Sequence, residues 1–361
     1  MKVKVLVVDD TIFYRKILCD VLAGFPFVEV VGTANNGEIA LSRIRTLKPD
    51  ILTLDVEMPN KNGLQVLSAI QAEGLAVDCL MVSSKTVTGS AITMQALELG
   101  AIDCIAKPDD ADAEANKRVL AVQLGSFLAS YQRQLEFREK SGKKGPIARI
   151  APPAAKVEVE VRPESRMGQR PERSQVIAIG ISTGGPNALA RFLPQLPADI
   201  GVPILLVQHM PPVFTQSLAK SLDGKCALTV KEAVDGEAVQ RNTVYIAPGG
   251  KQMKVGSGVA MAKIIRITDD PPENNCRPAV DYLFRSVARE YGSKTTCVVM
   301  TGMGSDGKLG CMVCKAGGAV VLAQHEASCV VYGMPKAVVD AGLADVVAPL
   351  DKLAAEIMKT V

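Results

Sequence analysis

Three sets of side chains in this chain could do chemistry: a serine in a glycine-rich turn, two histidines, and carboxylates that end strand-like runs. Ser182 lies in "GISTG", Gly180 to Gly184, a G-x-S-x-G pattern in which a sharp strand-to-helix turn exposes the hydroxyl above a sheet. Alone the pattern is weak, because glycine-rich turns between strands and helices are common. A nucleophilic serine needs a base to take its proton and an acid to orient that base. His209 follows "PILLVQ" and His325 follows "AVVLAQ", so both stand just past strand-like runs, and spacing does not choose between them. Asp306, in the glycine-rich turn of "VVMTGMGSDGKLG", is the candidate acid. The resulting order Ser, His, Asp differs from the Ser, Asp, His order of the common α/β-hydrolases and does not support membership of that superfamily. Read instead as a phosphate cradle, the loop lacks its cation: Gly184-Gly185 is followed by Pro186. Lys251 of "APGGKQM" supplies a lysine, but between strand-like runs, not at a helix start.

A second constellation lies near the N-terminus. Asp9 and Asp10 follow one strand-like run, Asp55 ends the third, Ser83 the fourth and Lys107 the fifth. Ligands of open parallel sheets bind beyond the carboxyl ends of the strands, so these side chains converge at one edge. Neighbouring carboxylates repel unless a cation neutralises them, and carboxylates with room for water and a phosphate suit Mg²⁺. A lysine opposite them suits an incoming phosphoryl group. A cis bond at Lys107–Pro108 is a further expectation.

The elements that must position these groups alternate. Residues 1–135 carry five strand-like runs, "KVKVLVV", "VEVVGTA", "DILTLD", "CLMVSS" and "AIDCIAK", separated by segments with helical spacing such as Ile12, Phe13, Ile17, Leu18, Val21 and Leu22. This pattern predicts a (βα)5 domain with a parallel sheet. Residues 136–173 read as a linker: Arg138 to Arg173 holds ten Lys or Arg, five Asp or Glu, five Pro and no aromatic residue. Residues 174–361 resume the βα rhythm and predict a doubly wound α/β domain. Its sheet is expected to be mixed, because "TVYIAPGGKQMKVGSGVAMAK" reads as short antiparallel strands.

Composition narrows the function classes. A net charge of +3 with no basic track or recognition helix argues against nucleic acid. No apolar run approaches the roughly 20 residues that span a bilayer, so no membrane insertion is expected. Nine scattered cysteines suggest reduced thiols and a cytoplasmic protein. Cys311 and Cys314 form C-x-x-C without the second pair or histidine that a zinc site requires.

Asp9-Asp10, Asp55, Ser83 and Lys107-Pro108 resemble the residue set of response-regulator receiver domains. "GISTGGP", "VQHMP", "TGMGSDG" and "YGMP" together resemble the catalytic domain of the chemotaxis protein-glutamate methylesterases, the CheB family. The receiver–linker–esterase order makes the resemblance cover essentially the whole chain. The resemblance implies phosphorylation of Asp55 by a chemotaxis histidine kinase. Asp10, Asp55 and the Glu57 carbonyl would hold Mg²⁺ with Asp9 assisting, and Ser83 and Lys107 would contact the phosphoryl oxygens. It further implies Ser182 as nucleophile, His209 as base, Asp306 as its orienting acid, and backbone around Thr183 and Met303 as the oxyanion site, with no cofactor for the ester chemistry. The expected substrates are glutamate γ-methyl esters of methyl-accepting chemoreceptors, with deamidation of specific glutamines as a second activity. The expected form is a monomer whose receiver covers the active site until Asp55 is phosphorylated. The alternative is a phosphorylation-controlled binding module without catalysis. Cys104 replaces the aromatic switch residue of many receivers. His325 and Gln252 also depart from the pattern of relatives, at positions expected on the rim of the site.

Overall fold

Strands buried on both faces are written as continuous apolar runs, and these runs place the sheets. The computed structural model describes residues 2–83, 87–108, 112–140, 158–161, 172–259 and 262–361. The chain divides into two units, Met1–Ala151 and Pro152–Val361.

In the first unit β1 (Val3–Val8), α1 (Ile12–Ala23), β2 (Val28–Ala34), α2 (Gly37–Leu47), β3 (Ile51–Asp55), α3 (Gly63–Ala72), β4 (Asp78–Ser83), α4 (Val87–Glu98), β5 (Asp103–Ala106) and α5 (Ala113–Lys140) alternate. The sheet order is β2-β1-β3-β4-β5, and every pairing is parallel. This is the (βα)5 arrangement. In α1, Ile17, Leu18, Val21 and Leu22 are buried, whereas Ile12 and Phe13 of the first turn stay exposed. Helix α5 continues past residue 135 to Lys140. Much of the expected linker, 141–157 and 162–171, lies outside the described residues. Lys107–Pro108 is not cis; the cis peptide bond among the described residues is Arg277–Pro278.

The second unit begins with β6 (Glu160–Val161), a two-residue strand inside the segment expected to be linker. Then come β7 (Val176–Ile181), α6 (Gly185–Phe192), β8 (Ile204–Gln208), α7 (Phe214–Asp223), β9 (Thr229–Glu232), β10 (Thr243–Ile246), β11 (Gln252–Ser257) and β12 (Lys263–Thr268). The chain ends with α8 (Val280–Tyr291), β13 (Thr295–Val299), α9 (Lys308–Ala316), β14 (Val320–Gln324), α10 (Met334–Asp340), β15 (Val346–Ala348) and α11 (Leu350–Met358). The main sheet runs β6-β15-β14-β13-β7-β8-β10-β9. It is mixed, as expected, but for a different reason. The segment expected to supply antiparallel strands splits: β10 pairs parallel within the main sheet, and β11 pairs with β12 in a separate hairpin. The antiparallel edge is β6 against β15. Val176 and Ala178 of β7 pack with Phe284, Val287, Cys311 and Cys314 of α8 and α9, and alternate residues Ile177, Ile179 and Ile181 point to the opposite face. Cys311 and Cys314 are therefore core thiols.

Candidate active site

β7 and β13 are neighbours, but the chain leaves β7 for β8 on one side and β13 for β14 on the other. The crevice at their carboxyl ends is the point where such sheets bind ligands. Ser182 stands immediately past β7. Its N–H donates to the Thr301 carbonyl at 3.0 Å, and its own carbonyl accepts from Gly185 N at 2.8 Å and Gln208 Nε2 at 2.9 Å. Gly184 completes the turn with φ +74°, a conformation that favours glycine. At Gly185 a Cβ would stand 1.8 Å from the buried Gln208 Oε1. Gly185→Ala is therefore expected to destabilise the protein by ~1–3 kcal/mol as an overpacking substitution, read from a denaturant midpoint.

The sequence-predicted oxyanion residues flank this serine. Thr183 is buried, and its carbonyl accepts from Thr301 Oγ1 at 3.0 Å. Met303 lies in the turn after β13, whose Gly302 approaches so closely that an added Cβ would be 2.8 Å from Ser182 Cβ. Among the described residues no hydrogen bond takes up the Thr183 or Met303 N–H, which leaves one amide donor in the serine turn and one in the neighbouring turn after β13.

His209 follows β8, with its N–H on the Ile181 carbonyl at 3.1 Å. Its Nε2 lies 2.9 Å from Asp306 Oδ2. The carboxylate is fixed by further donors: Val280 N at 2.7 Å on Oδ2, then Asp281 N, Gly307 N and Asn274 Nδ2, each at 3.0 Å, on Oδ1. Val280 and Asp281 open α8, so Asp306 sits at a helix N-terminus, where negative charge is favoured. Burial pushes the Asp306 carboxyl up, but His209 and these amides bring it net below the usual range. Burial disfavours the charged form of His209, yet Asp306 and Cys276 outweigh it and raise the imidazole to about 10. In the neutral ring, with Nε2–H donated to Asp306, Nδ1 carries the lone pair. That nitrogen faces Cys276 Sγ at 3.6 Å, and among the described residues no hydrogen bond joins it to Ser182.

His325 is elsewhere. Its Nδ1 accepts from Ala327 N at 3.1 Å, and its Nε2 lies 3.7 Å from Glu160 of β6. Gln252 is fully buried, not on a rim: it donates to the Pro271 carbonyl at 3.0 Å and accepts from Ala279 N at 2.9 Å. It thus braces the loop leading into α8. Sequence reasoning missed Asn274 and Cys276 on that loop. Asn274 links the Asp306 and Asp281 carboxylates at 3.0 Å each. The adjacent Asn274-Asn275 pair is a recognisable signal for a two-residue turn with positive φ.

In the first unit Asp9, Asp10 and Asp55 bring carboxylate oxygens within 4.8 Å of one another. Lys107 Nζ lies 2.6 Å from Asp55 Oδ2 and 2.7 Å from Asp9 Oδ2. Ser83 is buried at the end of β4. Glu57 lines a cleft with Asp10, Met58 and Asn62. Burial pushes the Asp55 carboxyl up to about 6; Lys107 opposes the rise and Asp9 adds to it. A cluster so short of positive charge fits a divalent cation with oxygen ligands. Cys104 is a buried thiol of β5, pushed up by desolvation.

Both halves of this arrangement have counterparts among known proteins. The response regulator receiver domain profile matches residues 5–116, and the CheB methylesterase profile matches residues 177–357. A protein-glutamate methylesterase/protein-glutamine glutaminase of Desulfotalea psychrophila is 51% identical over 360 residues, 99% of this chain and 98% of that protein. One from Bacillus subtilis is 41% identical over 361 residues, again 99% of this chain and 98% of the relative. The crystal structure of the Thermotoga maritima CheB methylesterase catalytic domain superposes with a TM-score of 0.51 at 43% identity, covering 53% of this chain and all of that one. With full-length relatives at this identity and both domains in the same order, the chain belongs to the CheB family of receiver-linked methylesterases.

Proposed function

We propose that the protein is a cytoplasmic protein-glutamate methylesterase and protein-glutamine glutaminase that acts on methyl-accepting chemoreceptors and is activated by phosphorylation of Asp55. The observation that carries the ester chemistry is the 2.9 Å His209–Asp306 pair in the crevice beside the Ser182 turn. Ser182 Oγ attacks the γ-ester carbonyl while His209 Nδ1, released from Cys276, takes its proton. Asp306 holds Nε2–H and stabilises the imidazolium that forms. The Thr183 and Met303 amides receive the developing oxyanion. His209 returns the proton to the departing methanol, and water then hydrolyses the acyl-enzyme. On a glutamine side chain the leaving group is ammonia. A binding module without catalysis gives no reason for so thoroughly fixed a buried carboxylate beneath His209.

Because His209 accepts a proton only when neutral, kcat/KM is expected to rise with pH through the range below about 10. A rate profile in chelator-treated buffer checks this; a rate falling between neutral and mildly alkaline pH would contradict it.

In the receiver, Asp9, Asp10, Asp55 and the Glu57 carbonyl are the residues to hold Mg²⁺, which supplies charge compensation for a phosphoryl group. Asp55 accepts that group from the phosphohistidine of a chemotaxis kinase, Lys107 shifts from the carboxylate to a phosphoryl oxygen, and Ser83 contacts another. The test compares initial methanol-release rates with and without Mg²⁺ and a small acyl-phosphate donor. The donor is expected to accelerate the wild-type protein and leave Asp55→Asn at its basal rate; equal acceleration of both would remove Asp55 from the account.

A further inference from the structure

Two groups of metal-competent side chains occur among the described residues, and their chemistry differs. Asp9, Asp10 and Asp55 offer only hard carboxylate oxygens. His209, Cys276 and Asp306 offer an imidazole, a thiol and a carboxylate within 4.8 Å of one another. Such a set discriminates against Mg²⁺ and favours softer ions.

The geometry of the second group is specific. Zn–S bonds of about 2.3 Å and Zn–N bonds of about 2.0–2.1 Å, meeting at a tetrahedral angle, separate sulfur and nitrogen by about 3.6 Å. Cys276 Sγ and His209 Nδ1 stand 3.6 Å apart. Neither group is loosely held. Cys276 leaves a two-residue turn in which Asn274 (φ 52°) and Asn275 (φ 59°) are both left-handed, closed by Cys276 N on the Glu273 carbonyl at 2.7 Å and Glu273 N on the Cys276 carbonyl at 3.0 Å. The imidazole is oriented by Asp306 on Nε2, so Nδ1 is the nitrogen that offers its lone pair once the ring is neutral. A histidine that binds a metal through one nitrogen and a carboxylate through the other is the usual outer-shell arrangement of zinc ligands.

We propose that Cys276 Sγ and His209 Nδ1, with Asp306 orienting the ring, bind a thiophilic divalent cation of the Zn²⁺ class, and that its binding switches the esterase off. On binding, the Cys276 thiol and the His209 imidazolium each give up a proton to solvent, and water completes the coordination. The ion occupies the lone pair that must take the Ser182 proton, so hydrolysis stops until the metal leaves. The inhibition rests on the proposed role of His209 as base; the binding site does not.

The test uses the full-length protein with Mg²⁺ in excess to fill the receiver cluster. Co²⁺ is titrated first, as a spectroscopic probe for Zn²⁺. The wild-type protein is expected to develop a thiolate-to-cobalt charge-transfer band that one equivalent of Zn²⁺ abolishes, and Cys276→Ser, Cys276→Ala and His209→Gln are expected to lose it. Zn²⁺ is expected to inhibit methanol release reversibly by chelation. Its half-inhibitory concentration should rise at least about tenfold in Cys276→Ser, each protein measured against its own metal-free rate, since outer-shell partners alone contribute about 10–100-fold to metal affinity. An unchanged band in both cysteine variants overturns the site. A band lost with Cys276 while Zn²⁺ inhibits wild type and Cys276→Ser equally overturns the switch. Activity that survives in His209→Gln refutes His209 as base without touching the metal result.

Discussion

Ser182→Ala is expected to bring methanol release from methylated receptor down to background. A nucleophile and its base act as a unit, and loss of the serine from such a unit costs on the order of 10⁶-fold in kcat. The fold should survive the substitution. Among the described residues Ser182 Oγ makes no hydrogen bond, and the turn is held by backbone groups that alanine retains. The stability change should therefore stay within about 1 kcal/mol. A folded Ser182→Ala protein with near wild-type turnover would remove the serine from the mechanism and leave the His209–Asp306 pair without a nucleophile.

The second large effect separates the histidines. His209→Gln is expected to lower kcat by at least about 10²-fold, the low end of a general base's usual contribution, and toward the ~10⁶-fold cost of losing the serine it acts with. His325→Gln is expected to change it little. His325 accepts from its own turn at Ala327 and faces Glu160 of the edge strand, whereas His209 alone reaches Asp306. Steady-state rates on the same methylated receptor decide between them, and the reverse ranking would move the base to the carboxyl end of β14.

What could be read from the sequence follows from burial. A strand covered on both faces is an apolar run, and the first one or two polar residues after it mark the sheet edge; this locates Asp9, Asp55, Ser83, Ser182 and His209. The choice between His209 and His325 is not of that kind. Both follow buried strands, and only the sheet order, with β7 between β8 and β13, brings His209 to Asp306. Strands β6 and β15 have two and three residues, too short for any periodicity to register, so the antiparallel edge was invisible and a strand lay inside the expected linker. Cys276 is legible as a cysteine but not as a neighbour of His209, because that proximity comes from a turn between two asparagines and from the docking of α8 on Asp306.

The most direct test of the central claim follows the ester bond itself. Methylated receptor is incubated with the full-length protein, Mg²⁺ and phosphodonor in heavy-oxygen water, and the receptor peptides and released methanol are analysed by mass spectrometry. Acyl transfer through Ser182 predicts free glutamates that carry heavy oxygen in the carboxylate, unlabelled methanol, labelled glutamates at deamidated glutamine positions, and none of these with Ser182→Ala. A receptor that is bound by the phosphorylated protein but keeps every methyl ester and glutamine intact would contradict the account.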